Sequence, residues 1–106
     1  MNDKIKVILE ELKVRFERLY GDRLVQMVLY GSQARGDAKF GSDIDVLVVL
    51  KGPVNIGEEI KITSYISAEL SLENDEVISC VFMDENEFSH RLSPLLRNVR
   101  KEGIAI

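Results

Sequence analysis

The chain contains few of the residues that would indicate a disulfide scaffold, a thiolate metal site or a membrane segment. It has one cysteine, one histidine, two prolines and no tryptophan among 106 residues. The single Cys80 cannot form an internal disulfide and lies in an apolar run, which fits a reducing compartment. No apolar run reaches the length that crosses a bilayer, and the N-terminus lacks a signal-peptide pattern. We therefore expect a cytoplasmic protein that makes no membrane contact.

Positive charge is also in the minority. Lysine and arginine number 14 against 18 aspartates and glutamates, for a formal net charge of −4. Proteins that bind nucleic-acid backbones generally carry an excess of positive charge, so we do not expect general nucleic-acid binding. The apolar fraction of 45% and charged fraction of 30% are ordinary for a globular domain. We expect a single domain over residues 1–106.

Hydrophobic periodicity predicts alternating helices and strands. Helices are predicted over 3–20, 33–35 and 56–72, with further starts at Asp84 and Ser93, and strands over 24–30, 43–50, 76–83 and 104–106. In the third helix, the residues available for packing are Ile60, Ile62, Tyr65, Ile66 and Leu70. The pattern predicts an α/β (α+β) fold, a mixed sheet of three to four strands with helices on one or both faces. The segment 93–100 should pack its leucines on the sheet, and its arginines are candidates for a partner surface.

The residues that indicate chemistry lie between the first two predicted strands. Gly31 and Ser32 end one apolar run, and Asp43 and Asp45 open the next. Small residues after a strand allow backbone N–H groups to point at an anion. Alternation along a strand places Asp43 and Asp45 on one face, where their oxygens suit magnesium or manganese. The pattern predicts a site for phosphoryl or nucleotidyl transfer.

This stretch resembles the signature of the nucleotidyltransferase superfamily related to DNA polymerase beta. Its fuller form, Gly-Ser-x-Ala-Arg-Gly followed by Ser-Asp-x-Asp, is similar to that of the minimal nucleotidyltransferases, including antitoxins of the MntA type. The resemblance implies that Asp43 and Asp45 are catalytic and hold two magnesium ions, with manganese as a substitute. It also implies that Gly31 and Ser32 bind the triphosphate of a nucleotide.

The resemblance implies three further site residues. Arg35 matches the family's arginine, which pairs with phosphate or with an acidic neighbour, and Ser42 is a second candidate for nucleotide binding that could instead shape the start of the strand. The superfamily usually has a third carboxylate on a neighbouring strand. Glu76 is the candidate here for a third catalytic and metal-binding acid, and Asp75 is the reserve. No acid stands in the middle of the third predicted strand, where the family pattern would place one.

The expected reaction is attack of a hydroxyl on the α-phosphate of a nucleoside triphosphate, with release of pyrophosphate. By resemblance, the donor is ATP and the acceptor is a tyrosine of a HEPN-type helical partner, which the chain would silence as an antitoxin. One alternative is a small-molecule nucleotidyltransferase similar to aminoglycoside-modifying enzymes. Another is a catalytically weak subunit that only binds its partner. The sequence leaves the base preference open, and it is compatible with a homo-oligomer.

Overall fold

The computed structural model describes residues 2–106, which form one mixed sheet with helices on both faces. The helices are α1 (Asp3–Tyr20), α2 (Ser32–Arg35), α3 (Ile56–Asn74), α4 (Glu85–His90) and α5 (Pro94–Glu102). The strands are β1 (Leu24–Tyr30), β2 (Ile44–Leu50), β3 (Ile78–Asp84) and β4 (Ile104–Ala105), and a 3₁₀ turn over Gly21–Arg23 joins α1 to β1. The predicted mixed α/β fold is confirmed, with four strands.

The sheet has the strand order β3-β2-β1-β4. β1 pairs antiparallel with both β2 and β4, whereas β2 and β3 are parallel. A parallel pair needs a crossover connection, and α3 supplies it between β2 and β3. The central strand β2 is almost wholly buried from Val46 to Leu50, as its continuous apolar run requires.

One face of the sheet is covered by α1 and α3. Alternate residues of β2, such as Val46 and Val48, point toward this face. The buried side chains of this core are Ile5, Ile8, Leu9, Leu12 and Phe16 of α1, Ile66 and Leu70 of α3, and Met27, Leu29, Ile44, Val46, Val48, Leu50, Ile78 and Phe82 of the strands. Asn2 caps α1 by accepting a hydrogen bond from the Ile5 N–H at 2.8 Å.

A smaller core lies on the opposite face, beneath α5. Leu96 and Val99 of α5 pack there with Leu47 and Val49 of β2. Ser93 caps this helix by accepting from the Leu96 N–H at 3.2 Å. Because side chains alternate along β2, Asp45 projects from the same face as Leu47 and Val49.

Some details differ from the sequence prediction. β2 begins at Ile44, so Asp43 directly precedes the strand. β3 begins at Ile78, so Glu76 and Val77 precede the strand. In α3, Ile66 and Leu70 are buried as expected, but Ile60, Ile62 and Tyr65 are exposed, and their predicted packing is wrong. The buried positions in the first half of α3 are instead Glu59 and Thr63. The hydrogen bonds that Glu59 accepts from Tyr20 and Arg23 compensate for the cost of burying its carboxylate. Hydrophobic periodicity considers only apolar residues, so it does not predict this burial.

None of the helices within residues 2–106 has the length and apolar character that a membrane span requires.

Candidate active site

The end of β1 and the start of β2 lie side by side at one end of the two central strands. In the antiparallel register Tyr30, the last residue of β1, stands opposite Asp45. Gly31 follows Tyr30 directly, so strand pairing places the Gly-Ser turn beside the carboxylates of the Asp-x-Asp motif. Twelve residues lie between Ser32 and Asp45 in the sequence, and strand pairing brings the two segments together.

Gly31 lies in contact distance of the Asp45 carboxylate. Its φ angle is +77°, in the region that side-chain-bearing residues rarely adopt. A Cβ atom added at Gly31 would lie 2.5 Å from Asp45 Oδ2. Both the backbone conformation and the space therefore require glycine, and the turn and the carboxylate belong to one site.

Ser32 opens the short helix α2 directly after Gly31. The Gly31 carbonyl accepts from the N–H groups of Ala34 and Arg35, each at 3.1 Å. The first N–H groups of a helix have no partner within it, so those of Ser32 and Gln33 are available to an anion. This turn has the chemistry of a phosphate cradle.

Asp43 lies close enough to Asp45 to affect the charge of the Asp45 carboxyl. Asp45 is half-buried, whereas Asp43 is exposed. Burial and the neighbouring Asp43 carboxylate raise the pKa of Asp45, and the Arg35 guanidinium opposes that rise. Paired carboxylate oxygens with unneutralised repulsion are the donor set that suits a hard divalent cation such as magnesium or manganese. The residues present therefore fit the metal that the motif implies.

Arg35 is engaged by acidic side chains. Its guanidinium pairs with Asp37 Oδ2 and with Glu102 Oε1 of α5, each at 3.1 Å. Of the two kinds of partner expected from the sequence, the structure shows the acidic one. The Glu102 pair attaches α2 to the end of α5, which orients the segment that carries Ser32.

Ser42 shapes the turn that precedes β2. Its hydroxyl accepts from the Lys39 N–H at 2.9 Å, and its own N–H donates to the Lys39 carbonyl at 2.9 Å. Its carbonyl lies 3.5 Å from Gln33 Nε2 of α2. Ser42 thus links the carboxylate segment to the cradle segment through its carbonyl and the Gln33 side chain.

Glu76 and Asp75 are not brought to the aspartate pair. Glu76 Oε1 lies 3.3 Å from Lys4 Nζ of α1, the helix on the face of the sheet opposite to Asp45. Asp75 is exposed and ends α3 with a φ of +52°. Within residues 2–106 there is no group of three or more acidic, histidine or cysteine side chains placed to hold a metal ion. The geometry gives the site two carboxylates.

Sequence reasoning missed two neighbours of Asp45. Tyr30 on β1 and Ser79 on β3 stand in register with it, so the three residues form a row across the sheet. Burial, and next the Asp45 carboxylate, raise the pKa of the Tyr30 hydroxyl. Ser79 occupies the position beside Asp45 on the neighbouring strand. The strand pairing that creates this row has no local signal in the sequence.

The fold and this site define the class of protein. The chain belongs to the nucleotidyltransferase domain family, whose model matches residues 6–106. It is therefore a nucleotidyltransferase.

Among its relatives are two proteins of Methanocaldococcus jannaschii. It is 33% identical to "Putative protein adenylyltransferase MJ0604" over 97% of this chain and 96% of the relative. It is 38% identical to "Putative protein adenylyltransferase MJ0141" over 68% of this chain and 72% of the relative. Both alignments support membership in the same family.

Solved structures share the fold. A chain of a toxin–antitoxin crystal structure with AMP-PNP superposes with a TM-score of 0.63 at 19% identity, covering 91% of this chain and 70% of that one. A minimal nucleotidyltransferase gives 0.60 at 21% identity, covering 99% and 97%. A nucleotidyltransferase from Sulfolobus solfataricus gives 0.56 at 24% identity, covering 99% and 86%. At these identities the likeness establishes the fold alone.

Proposed function

We propose that this nucleotidyltransferase moves AMP from ATP, in the presence of magnesium, onto a tyrosine hydroxyl of a HEPN-type partner protein and thereby acts as an antitoxin. The observation that supports the proposed chemistry is the close approach of Gly31 to the Asp45 carboxylate, which leaves no room for a Cβ atom. It joins an anion-binding turn to a carboxylate pair. A nucleoside triphosphate with its divalent cation is the ligand that needs both.

In this reaction the acceptor oxygen forms a bond to the α-phosphorus while the bond to the pyrophosphate leaving group breaks, and the proton of the acceptor hydroxyl is released to solvent. The Gly31–Ser32 turn would hold phosphate oxygens through backbone N–H groups and the Ser32 hydroxyl. Asp43 and Asp45 would hold magnesium, which supplies charge neutralisation at the phosphates and polarises the attacking hydroxyl. The protein's own contribution is alignment of the donor with the acceptor, with no covalent enzyme intermediate.

A protein acceptor is supported by the named relatives. Both M. jannaschii proteins carry the name of protein adenylyltransferases. Two further neighbours in fold come from the toxin–antitoxin pair MntA-HpeT, one with a TM-score of 0.60.

The proposal is tested with ATP labelled at the α-phosphate. The protein is incubated with magnesium, labelled ATP and a HEPN-type helical protein, and label on protein is read after denaturing electrophoresis. We expect label on the partner, loss of that label with Asp43→Asn, and none when the label is on the γ-phosphate. Label from the γ-position would indicate a kinase and contradict the proposal.

A second candidate is a partner-binding subunit with weak catalysis. It is favoured by the Asp45 row, in which the residue on the neighbouring strand is Ser79 rather than an acid. For this candidate, Mg·ATP and the partner both bind, yet no label moves. Ser79→Asp would then add a carboxylate beside Asp45, and a gain of transfer in that variant would show that the missing acid limits the chemistry.

A further inference from the structure

The segment 91–101 has a charge opposite to that of the whole chain. It contains Arg91, Arg97, Arg100 and Lys101 and no acidic residue, in a protein of formal net charge −4. Such a local excess is a feature that an anionic partner would recognise through charge complementarity. The reaction proposed above makes no use of it.

Three of these four cations lack an acidic partner. Arg91 pairs with Glu87 at 3.1 Å. Arg97, Arg100 and Lys101 form no ion pair with any residue in the range 2–106 that the structure covers. Arg100 and Lys101 follow Arg97 by three and four positions on α5, so both lie on the side of the helix that carries Arg97, where the like charges repel one another. An anion bound at this face would relieve that repulsion.

The same face of α5 contains a surface cavity. A cavity of about 390 Å³ is lined by Leu92, Ser93, Arg97, Arg100 and Lys101. Leu92 is 90% exposed at its edge. The Arg100 guanidinium is held in place because it donates to the carbonyls of Phe88 and Arg91 at 3.0 and 3.1 Å. The cavity thus combines cationic side chains with an exposed apolar one.

This face is connected to the active site. α5 covers the sheet on the side from which Asp45 projects, and Glu102, which follows Lys101, pairs with Arg35 of α2. A partner that lies along α5 would extend toward the Gly31–Ser32 turn. The position suits a docking surface that brings an acceptor to the nucleotide.

We propose that the α5 face, formed by Leu92, Arg97, Arg100 and Lys101, docks an acidic segment of a partner protein that also carries an apolar side chain for Leu92. A nucleic-acid backbone fits less well, because it offers no apolar group for the exposed leucine and would meet the acidic remainder of the surface. The surface adds to the proposed function but does not require transfer to occur.

The test uses a fluorescein-labelled peptide of repeating Glu-Glu-Leu, with fluorescence anisotropy as the readout and neither nucleotide nor magnesium present. A failure here therefore leaves the transfer chemistry untouched. The charge-reversal variant is Arg97→Glu with Lys101→Glu. Its matched control is Lys6→Glu with Lys61→Glu, which changes the net charge equally at exposed helical positions without ion pairs in the described chain. Further probes are the same peptide with glutamine for glutamate, and an oligothymidylate.

We expect the α5 reversal to weaken peptide binding by about tenfold or more and the control reversal by less than about threefold. We also expect the glutamine peptide and Leu92→Ser to show clear losses. Equal losses in the two reversals would mean general electrostatics and would overturn the proposal. Tighter binding of the oligothymidylate than of the peptide, abolished by the α5 reversal, would also overturn it by revealing a phosphate site.

Discussion

At the scale of single residues, Gly31 decides whether the cradle and the carboxylates can share one site. Two constraints apply to it independently, its positive φ and the proximity of Asp45 Oδ2. Gly41 has a similar φ of +85° but nothing within 4 Å of its added Cβ. The chain therefore contains its own control for separating backbone strain from site geometry.

Gly31→Ala should lose nucleotide binding, whereas Gly41→Ala should keep it. Each variant should lose about 1–2 kcal/mol of unfolding free energy, because alanine at positive φ is strained. Only the methyl group at Gly31 displaces the Asp45 carboxylate. The measurements are urea denaturation for stability and the rise in melting temperature on adding Mg·ATP for binding. Equal responses to Mg·ATP in the two variants would remove Gly31 from the site.

Asp45→Asn should leave the ligand-free protein equally or more stable at pH 7. The pKa of Asp45 is raised above 3.8 in the folded protein, so the folded state holds that proton more tightly than the unfolded state does. The ionised form therefore destabilises the fold above the raised pKa, and the penalty disappears as the pH falls through it. Melting temperatures should show a larger advantage of asparagine at pH 7 than at pH 4.

The exposed Asp22, which forms no ion pair with residues 2–106, provides the control substitution. Asp22→Asn should leave the melting temperature at pH 7 close to that of the parent. A loss of stability in Asp45→Asn at pH 7 would mean that the carboxylate makes a favourable contact and that repulsion does not dominate the pair.

At the scale of elements, a polar cluster connects α3 to the segment between α1 and β1. The Glu59 side chain is only 4% exposed and pairs with Arg23 at 2.8 Å. It also accepts from the Tyr20 hydroxyl at 2.9 Å. Burial and then the contact with Glu59 raise the pKa of Tyr20. Arg23 further donates to the carbonyls of Lys51 and Pro53, so the cluster joins three segments.

Glu59→Gln should cost about 2–4 kcal/mol of unfolding free energy, because it leaves Arg23 without its buried counter-charge. Glu69→Gln removes the partner of Arg15 in an exposed pair and should cost less than about 1 kcal/mol. Both are measured by urea denaturation. A similar small cost in the two variants would show that the Glu59 cluster is hydrated and contributes little.

The thiol of Cys80 should be unreactive in the folded protein. Burial raises the pKa of Cys80 to about 11, against a smaller opposing effect from its contact with Ser67. At pH 8 the reactive thiolate is therefore scarce. Iodoacetamide should modify Cys80 slowly at pH 8 and rapidly once urea has unfolded the chain. Rapid modification without urea would show that β3 opens readily from α3.

At the scale of the whole molecule, most elements follow from local sequence. The caps at Asn2 and Ser93 and the apolar runs of β1 and β2 locate them, since capping and periodicity act over a few residues. The Gly-Ser turn and the Asp-x-Asp strand were also readable from spacing and residue type. These local features are sufficient to predict the fold class and the main candidate site residues.

The remainder depends on which elements pack together. The hydrophobic pattern places Ile60 in the core. In the structure Tyr20 and Arg23 contact α3 at Glu59 instead, so Glu59 is buried and Ile60 is exposed. Glu76 appeared suited to the metal, but β3 begins two residues later and Lys4 of α1 binds that carboxylate. The row that includes Ser79 exists only once β2 and β3 are paired. Such long-range contacts leave no periodic signal in a single sequence.

The central claim is that the Gly31 turn and the Asp43–Asp45 pair form one site for a nucleoside triphosphate and magnesium. Isothermal titration calorimetry with ATP tests it most directly, with and without magnesium, on the parent and on Asp43→Asn. The account predicts one site per chain, tight only with magnesium, and a loss of that magnesium dependence in Asp43→Asn. Magnesium-dependent binding of equal affinity in Asp43→Asn would contradict it.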